Sequence, residues 1–501
     1  MLFPRSSPGI LNILTNATGG IGIVLEHRYY GHSLPLTDAS GHHHNFTLST
    51  DNLRFLTSEQ ALLDTARLVQ FLDLGAVDER LNGTTGSEDR PWIAYGGSYA
   101  GAMTAFLVTS FPHQSSTQTP PTELALPPTH PATVNSYANP TAPRPIVWGG
   151  IASSAVTHAQ TSFPEYFTAI QQAAPERCMR TLETVVEAID TALDVAGERF
   201  RGVVKGLFGL EGLKSDADFA DVIASPLGSW QARNWDPAGA SSLSFLTLTP
   251  ANVGSYLQVG STEFYRFCDI LTAGLASSDS VDAPTTTLPG SPIKVPAALI
   301  NYAGYVKDNI VVECPVGEDG KRDVEACFGT NDIAKFRQTG IEQKWRLWLF
   351  QVCENWGYFM PAPLEGPRIV SKLLTLNHTS KVCAAAFPPG KLFQLPANGP
   401  DVARVNARGD FAIAADRLAF IDGDSDPWRP ATPQSDYAVK RNDTLLRPVK
   451  LIPDAVHHFD ENGLLDSSKE PQRIRKVHEE EIEFVKSWLK QWREKKEDGS
   501  L

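Results

Sequence analysis

The segment Trp92-Ile93-Ala94-Tyr95-Gly96-Gly97-Ser98-Tyr99-Ala100-Gly101-Ala102-Met103 constrains the fold more than any other stretch of this chain. An apolar run of strand character stops at a glycine pair, and a helix-forming run begins two residues later. That pattern predicts a sharp strand-to-helix turn lifting the Ser98 hydroxyl above the C-terminal edge of a sheet. Such a turn strains the serine backbone, so the residues two before and two after it must be small. Gly96 and Ala100 meet the requirement, although Ala100 stands where the Gly-x-Ser-x-Gly pattern has its second glycine. The plain alternative is a glycine-rich turn that only opens a helix.

Two later stretches favour the elbow. Arg417-Leu-Ala-Phe-Ile421 reads as a buried strand running into Asp422-Gly-Asp-Ser-Asp426-Pro427-Trp428, a turn with three carboxylates. Val449-Lys-Leu-Ile452 reads as another strand, followed by Asp454-Ala-Val-His457-His458-Phe459. Serine, aspartate and histidine thus follow one another in chain order, each just past a strand. This is the order of α/β-hydrolases, and it differs from those of the chymotrypsin and subtilisin folds. A serine hydroxyl needs a neighbouring base to act as nucleophile. Ser98 is the candidate nucleophile and His457 its base, with Asp426 holding the other ring nitrogen. The backbone N–H of Tyr99 is the candidate oxyanion donor, because it follows the nucleophile.

At these residues the chain resembles a known family. Glu26-His-Arg-Tyr-Tyr-Gly31-His-Ser-Leu-Pro35, Leu56-Thr-Ser-Glu-Gln-Ala-Leu62, Gly96-Gly-Ser-Tyr-Ala-Gly101, Asp426-Pro-Trp428 and His457-His-Phe-Asp460 carry the likeness. They are similar to the signature blocks of the serine peptidases that include lysosomal Pro-X carboxypeptidase, dipeptidyl peptidase II and fungal secreted prolyl peptidases. The resemblance implies an α/β-hydrolase sheet with a large inserted helical cap, and cleavage after proline or a small residue in short peptides through an acyl-enzyme, by an exopeptidase of the dipeptidyl-peptidase or Pro-X carboxypeptidase type. It also assigns the catalytic role to the first histidine of the pair, and to Asp426 rather than Asp422 or Asp424, which are expected to serve turn hydrogen bonds. Family members often carry a methionine four residues after the serine, where Ala102 stands, and an arginine supporting the second histidine, near Asn462.

A flat apolar pocket suits a proline ring. Trp428 is a candidate wall for substrate binding. The aromatics of Trp345-Arg-Leu-Trp348 and Asn355-Trp356-Gly-Tyr358-Phe359 could supply others, with ordinary core packing the favoured reading for them. A carboxylic-ester hydrolase on the same three residues is the alternative activity. A catalytically impaired secreted glycoprotein is the alternative from outside enzymology.

With 501 residues the chain suits a hydrolase domain carrying a sizeable insertion. Its net charge of −13 argues against nucleic acid as a partner. No apolar run reaches membrane-spanning length. Five Asn-x-Ser/Thr sequons, at Asn16, Asn45, Asn82, Asn377 and Asn442, are candidate N-glycan acceptors. Six cysteines, all between Cys178 and Cys383, are compatible with three disulfides in an oxidising compartment; six free thiols are the alternative. Of the 15 pairings that six cysteines permit, the family arrangement implies Cys178–Cys268, Cys314–Cys327 and Cys353–Cys383. Secretion or a vacuolar or lysosomal location is therefore expected. Met1-Leu-Phe-Pro-Arg-Ser-Ser-Pro lacks the apolar core of a leader. The family places strands and a glycine-containing loop before the Glu-His-Arg-Tyr-Tyr block, so the chain is expected to be N-terminally shortened, without the loop that would hold a second oxyanion donor.

Residues 1–161 are read as the first part of the hydrolase domain, interrupted by a Pro/Ser/Thr-rich insertion at 112–145. Residues 162–400 are the helical cap with the cysteines, and 401–501 complete the hydrolase. Ile21-Gly-Ile-Val-Leu25 is predicted as a buried strand, and Asp279–Pro296 as a loop. Thr57–Leu74 is predicted as a helix with a capping box at Thr57 and Gln60. Ile474–Trp492 is predicted as a terminal helix with one apolar side and a solvated Glu/Lys face. No cofactor is expected. His42-His43-His44 beside His32 lack a completing cysteine or carboxylate, so they read as a polar loop rather than a metal site. Peptides are the expected partners, and the sequence leaves oligomeric state open, a homodimer included.

Overall fold

Short apolar runs without polar alternation form strands buried on both faces, the habit of parallel sheets covered by helices. The computed structural model describes residues 9–35, 46–73, 75, 90–110, 146–195, 197–236, 262–275, 285–287, 294–318 and 320–500. Four parallel strands lie side by side in chain order: β1 (Ile93–Gly97), β2 (Gly149–Ser153), β3 (Leu418–Gly423) and β4 (Val449–Ile452). Gly97 pairs with Ser153, Ser153 with Ile421, and Gly423 with Ile452, so the C-terminal ends of all four strands share one edge. β2 and β3 are buried along their whole length. The apolar run Ile146-Val-Trp-Gly-Gly-Ile151 forms strand only from Gly149 onward. Gly150 is one reason β2 suits this place, because a Cβ there would lie 2.8 Å from the Thr104 and Val108 methyls.

The seven helices labelled here are α1 (Ile10–Thr18), α2 (Ser58–Phe71), α3 (Tyr99–Ser110), α4 (Glu176–Val195), α5 (Glu263–Leu271), α6 (Trp345–Gln351) and α7 (Gln472–Glu497). α2 starts where predicted, with the Thr57 hydroxyl accepting from the Gln60 N–H at 3.3 Å. The Gln60 side chain does not complete a capping box; its carbonyl accepts from Arg28 instead. α7 buries Ile474, Val477, Phe484 and Trp488, and the Trp148 indole donates to the Trp488 carbonyl at 2.7 Å. Its charged face is not wholly solvated, for His478 and Glu481 are buried.

Between β2 and β3 the chain is mainly helical, and one continuous apolar cluster joins it to the sheet. Leu182, Val185 and Phe219 belong to the same cluster as Ile151 and Ile421. All three implied disulfides are present, Cys178–Cys268 linking α4 to α5. The expected loop at 279–296 contains a short antiparallel pairing of 285–287 with 294–296.

The predicted strand Ile21–Leu25 is not formed. It has only a single bridge residue at Ile23, and Ile21, Val24 and Leu25 are 42–44% exposed. Apolar composition makes a buried strand only where a partner supplies ladder bonds and cover, and no described strand runs along this stretch. The insertion at 112–145, the triple histidine at 42–44, and Asn45 and Asn82 lie outside the described residues. Asn16, Asn377 and Asn442 are exposed. Among the described residues no helix is long and apolar enough to cross a membrane, and no cluster of metal-binding side chains occurs.

Candidate active site

Ser98 joins β1 to α3 with φ of 60°, in the left-handed region that non-glycine residues seldom occupy. Its N–H donates to the Ser153 carbonyl at 2.9 Å, which anchors the turn to the end of β2. A Cβ at Gly96 would overlap the Ala100 carbonyl, and one at Gly101 would lie 2.6 Å from the Ser153 carbonyl. Both glycines are therefore required by close approach. Ala100 is exposed, so its methyl is accommodated and the departure from Gly-x-Ser-x-Gly is sterically harmless. Gly96→Ala should destabilise the fold by about 3 kcal/mol, the upper range for forced overpacking; a urea titration showing less than about 1 kcal/mol would contradict this close approach.

Asp426 and His457, 31 residues apart, meet at the same sheet edge. His457 Nδ1 lies 2.9 Å from Asp426 Oδ2 and 3.2 Å from Oδ1, and both side chains are buried. Burial disfavours the Asp426 anion. The His457 charge and hydrogen bond, the Trp428 N–H at 2.9 Å and the Ser154 hydroxyl outweigh it and hold the carboxyl below its usual range. Burial lowers the His457 pKa against the pull of Asp426, keeping the ring a neutral base into acidic solution. Gly97, beside Ser98, faces the next turn; a Cβ there would lie 3.1 Å from the Cβ of His458.

His458 occupies a separate environment. Its ring pairs with Glu461 at 2.7 Å and its N–H donates to Ser154 Oγ at 2.8 Å. Burial acts against its charge, but Glu461 raises its pKa overall. With Asn462 in place of a supporting arginine, the partner of His458 is Glu461, one residue earlier. Asp424 serves a turn as predicted, accepting from the Ser425 hydroxyl and Asp454 N–H. Asp422 does not: it is buried on β3, bonded by the Gln434 amide, with its pKa pushed well up by burial and Asp426.

Tyr99 is the first residue of α3, so its N–H falls among those left without an intrahelical acceptor. Its phenol lies 3.2 Å from His27 Nε2, and its ring packs edge-on against Trp348 and Trp356. Arg28 bonds Asp64 through two nitrogens, at 2.6 and 2.7 Å, which seats the Glu26–Gly31 block on α2 beside the elbow. Trp428 lies 5.9 Å from the His457 ring and lines a cleft with Trp348, Tyr358, Phe359 and Met360, which Asp221, His378 and Lys381 also border. The core-packing reading holds for Trp345, Trp356, Tyr358 and Phe359, all buried in the apolar core, while Tyr358, Phe359 and the partly buried Trp348 also border that cleft.

Residues given no role from the sequence complete the site. Ser154, with φ of 43°, bonds the Asp426 and His457–His458 turns together; its place just past a strand end was the available signal. Asp460 accepts from the Tyr95 phenol at 2.9 Å and from the Ser153 hydroxyl, beside the buried Glu481.

Burial raises the pKa of several carboxyls: Asp221 to about 8, Glu354 to about 7, and Asp422, Asp460 and Glu481 also upward. An acid with a raised folded pKa binds more protons when folded, so its contribution is full below the unfolded pKa and lost as pH rises through the folded one. Thermal stability should therefore fall as the pH rises from about 4.5 to about 8. Melting temperatures that climb steadily over that interval would contradict these assignments.

A parallel sheet bearing, at its C-terminal edge, a strained serine turn and a carboxylate-held imidazole defines an α/β-hydrolase. Residues 6–118 match the family described as Serine carboxypeptidase S28. The chain is 34% identical to the probable extracellular serine carboxypeptidase of Arthroderma benhamiae over 97% of its own length and 60% of that protein. It is 24% identical to the thymus-specific serine protease of Mus musculus, over 95% of this chain and 76% of that one. A shorter match of 91 residues, 18% of this chain and 16% of the relative, is 41% identical to human lysosomal Pro-X carboxypeptidase. The chain spans about 60% of the length of the Arthroderma benhamiae relative, and it is similar to the serine carboxypeptidases of the S28 family over that span and over residues 6–118.

Proposed function

We propose that this protein is a serine exopeptidase cleaving short peptides after proline, of the carboxypeptidase type that its relatives' names describe. The observation that carries the reading is the buried Asp426–His457 pair on the sheet edge that also bears the strained Ser98 turn. In this reading His457 takes the Ser98 proton as Oγ attacks the peptide carbonyl, and Asp426 stabilises the imidazolium. The Tyr99 N–H donates to the developing oxyanion. His457 then protonates the leaving amine, and water, deprotonated by the same ring, releases the acyl group from Ser98.

The cleft beside Trp428 supports proline at the cleavage position, because Trp428, Tyr358 and Phe359 give it flat aromatic walls and Trp428 lies 5.9 Å from the His457 ring, while Asp221, His378 and Lys381 line its other parts. The helical stretch 162–400 supplies most of those walls and serves as the cap. Three disulfides, exposed sequons at Asn16, Asn377 and Asn442, and relatives named extracellular and lysosomal support the secretory pathway with N-glycans.

Kinetics on N-blocked Pro-Phe and Ala-Phe dipeptides and on a simple acyl ester test the assignment. The proline peptide should show kcat/KM at least about tenfold above its alanine counterpart. Ester turnover with neither peptide cleaved would replace the peptidase reading by an ester hydrolase.

A further inference from the structure

Trp428 is held in one orientation by a residue that belongs to neither the sheet nor the loops of the site. Its indole Nε1 donates to Gln231 Oε1 at 2.8 Å, and the Tyr166 phenol donates to the same oxygen at 2.8 Å. An indole nitrogen is a donor only, so the Gln231 carbonyl must face it. All three side chains are buried, Gln231 at 3% exposure. The rings of Phe163, Tyr166 and Tyr358 surround the indole with centroids 5.2–5.7 Å away. They restrict it sterically, and the bond to Gln231 selects which edge points inward.

Gln231 is itself pinned on both sides. The Trp230 indole donates to the Ser425 carbonyl at 2.8 Å, one residue before Asp426. The Trp235 indole donates to the Phe459 carbonyl at 3.1 Å, two residues beyond His457. Arg233 bonds Asp454 at 3.0 Å and covers the Trp230 ring at 4.0 Å. The short run 230–235 therefore grips the aspartate turn, the histidine turn and the pocket wall together.

We infer that Gln231 is a positioning residue that sets the Trp428 indole as the wall of the cleavage pocket, and so determines the preference for proline there. This rests on the functional reading given above. A compact ring gains from a wall held at one distance, whereas alanine reaches the wall poorly and depends on it little.

The test compares kcat/KM for blocked Pro-Phe and Ala-Phe dipeptides in wild type, Gln231→Leu, Gln231→Glu and Trp428→Phe. Assays are run at acidic pH, where a buried glutamate is neutral and keeps its carbonyl acceptor. Gln231→Leu should reduce the proline-to-alanine ratio about tenfold, with Gln231→Glu restoring it to within about threefold. The rate of Ser98 labelling by a small fluorophosphonate should stay within about threefold in both Gln231 variants. Trp428→Phe removes only the donor and its small ring, so it gives the same reading if Gln231→Leu does not fold. Adding Gln231→Leu to Trp428→Phe should then change the ratio no further. A wild-type ratio well above one that survives in both Gln231→Leu and Trp428→Phe overturns the inference alone. A wild-type ratio near one removes the proline reading itself, and the inference with it.

Discussion

Replacing Ser98 by alanine should lower kcat for the proline peptide roughly 10⁴- to 10⁶-fold while leaving the fold intact. The side chain leaves a turn whose strain comes from the backbone, and alanine tolerates φ of 60° about as poorly as serine. Stability should therefore change by about 0.5 kcal/mol or less, as for a substitution that removes no buried partner. The expected loss is large because the hydroxyl forms the only covalent bond to substrate in this mechanism. A residual rate above the uncatalysed one should remain, from binding and the Tyr99 N–H. Steady-state kinetics beside a thermal melt separates the two effects. A tenfold loss or less in a well-folded variant would mean that another group performs the attack.

Asp426→Asn should cost about 10⁴ in kcat, second only to loss of the nucleophile. The amide keeps an oxygen for the Trp428 N–H but can present its NH₂ to His457. The imidazole would then hold its proton on Nε2, the nitrogen needed to receive one from Ser98. Asp422→Asn, on a carboxyl whose pKa burial pushes well up and which bonds the Gln434 amide rather than His457, should change kcat less than about threefold. The pair of variants is decisive because Asp422, on β3, lies close in sequence to Asp426, in the turn that follows the strand. Equal losses in the two would show that Asp426 has no special role.

The readable parts of this site are those written in short local patterns. An apolar strand followed by small residues locates Ser98, and the strand ends before Asp426 and His457 locate the other two. The disulfide pairing was legible only through resemblance, since spacing alone admits every alternative. What escaped is long-range and chemically unmarked. Gln231 meets Trp428 across 197 positions, and Ser153 meets Asp460 across 307. A glutamine or serine within a helical or strand segment announces nothing about such a partner. Burial of Glu481 on α7 escaped for a related reason: amphipathic patterning treats a charged residue as solvated, whereas this one sits beside a second carboxyl under the sheet. Ile21–Leu25 failed in the opposite sense, because apolar residues cannot declare whether a neighbouring strand will cover them.

The most direct measurement is intact-protein and peptide mass spectrometry after exposure to a small fluorophosphonate. The account predicts one stoichiometric adduct on the peptide containing Ser98, absent from Ser98→Ala and strongly slowed in Asp426→Asn. A folded wild-type protein that takes up no adduct, or takes it at another residue, would contradict it.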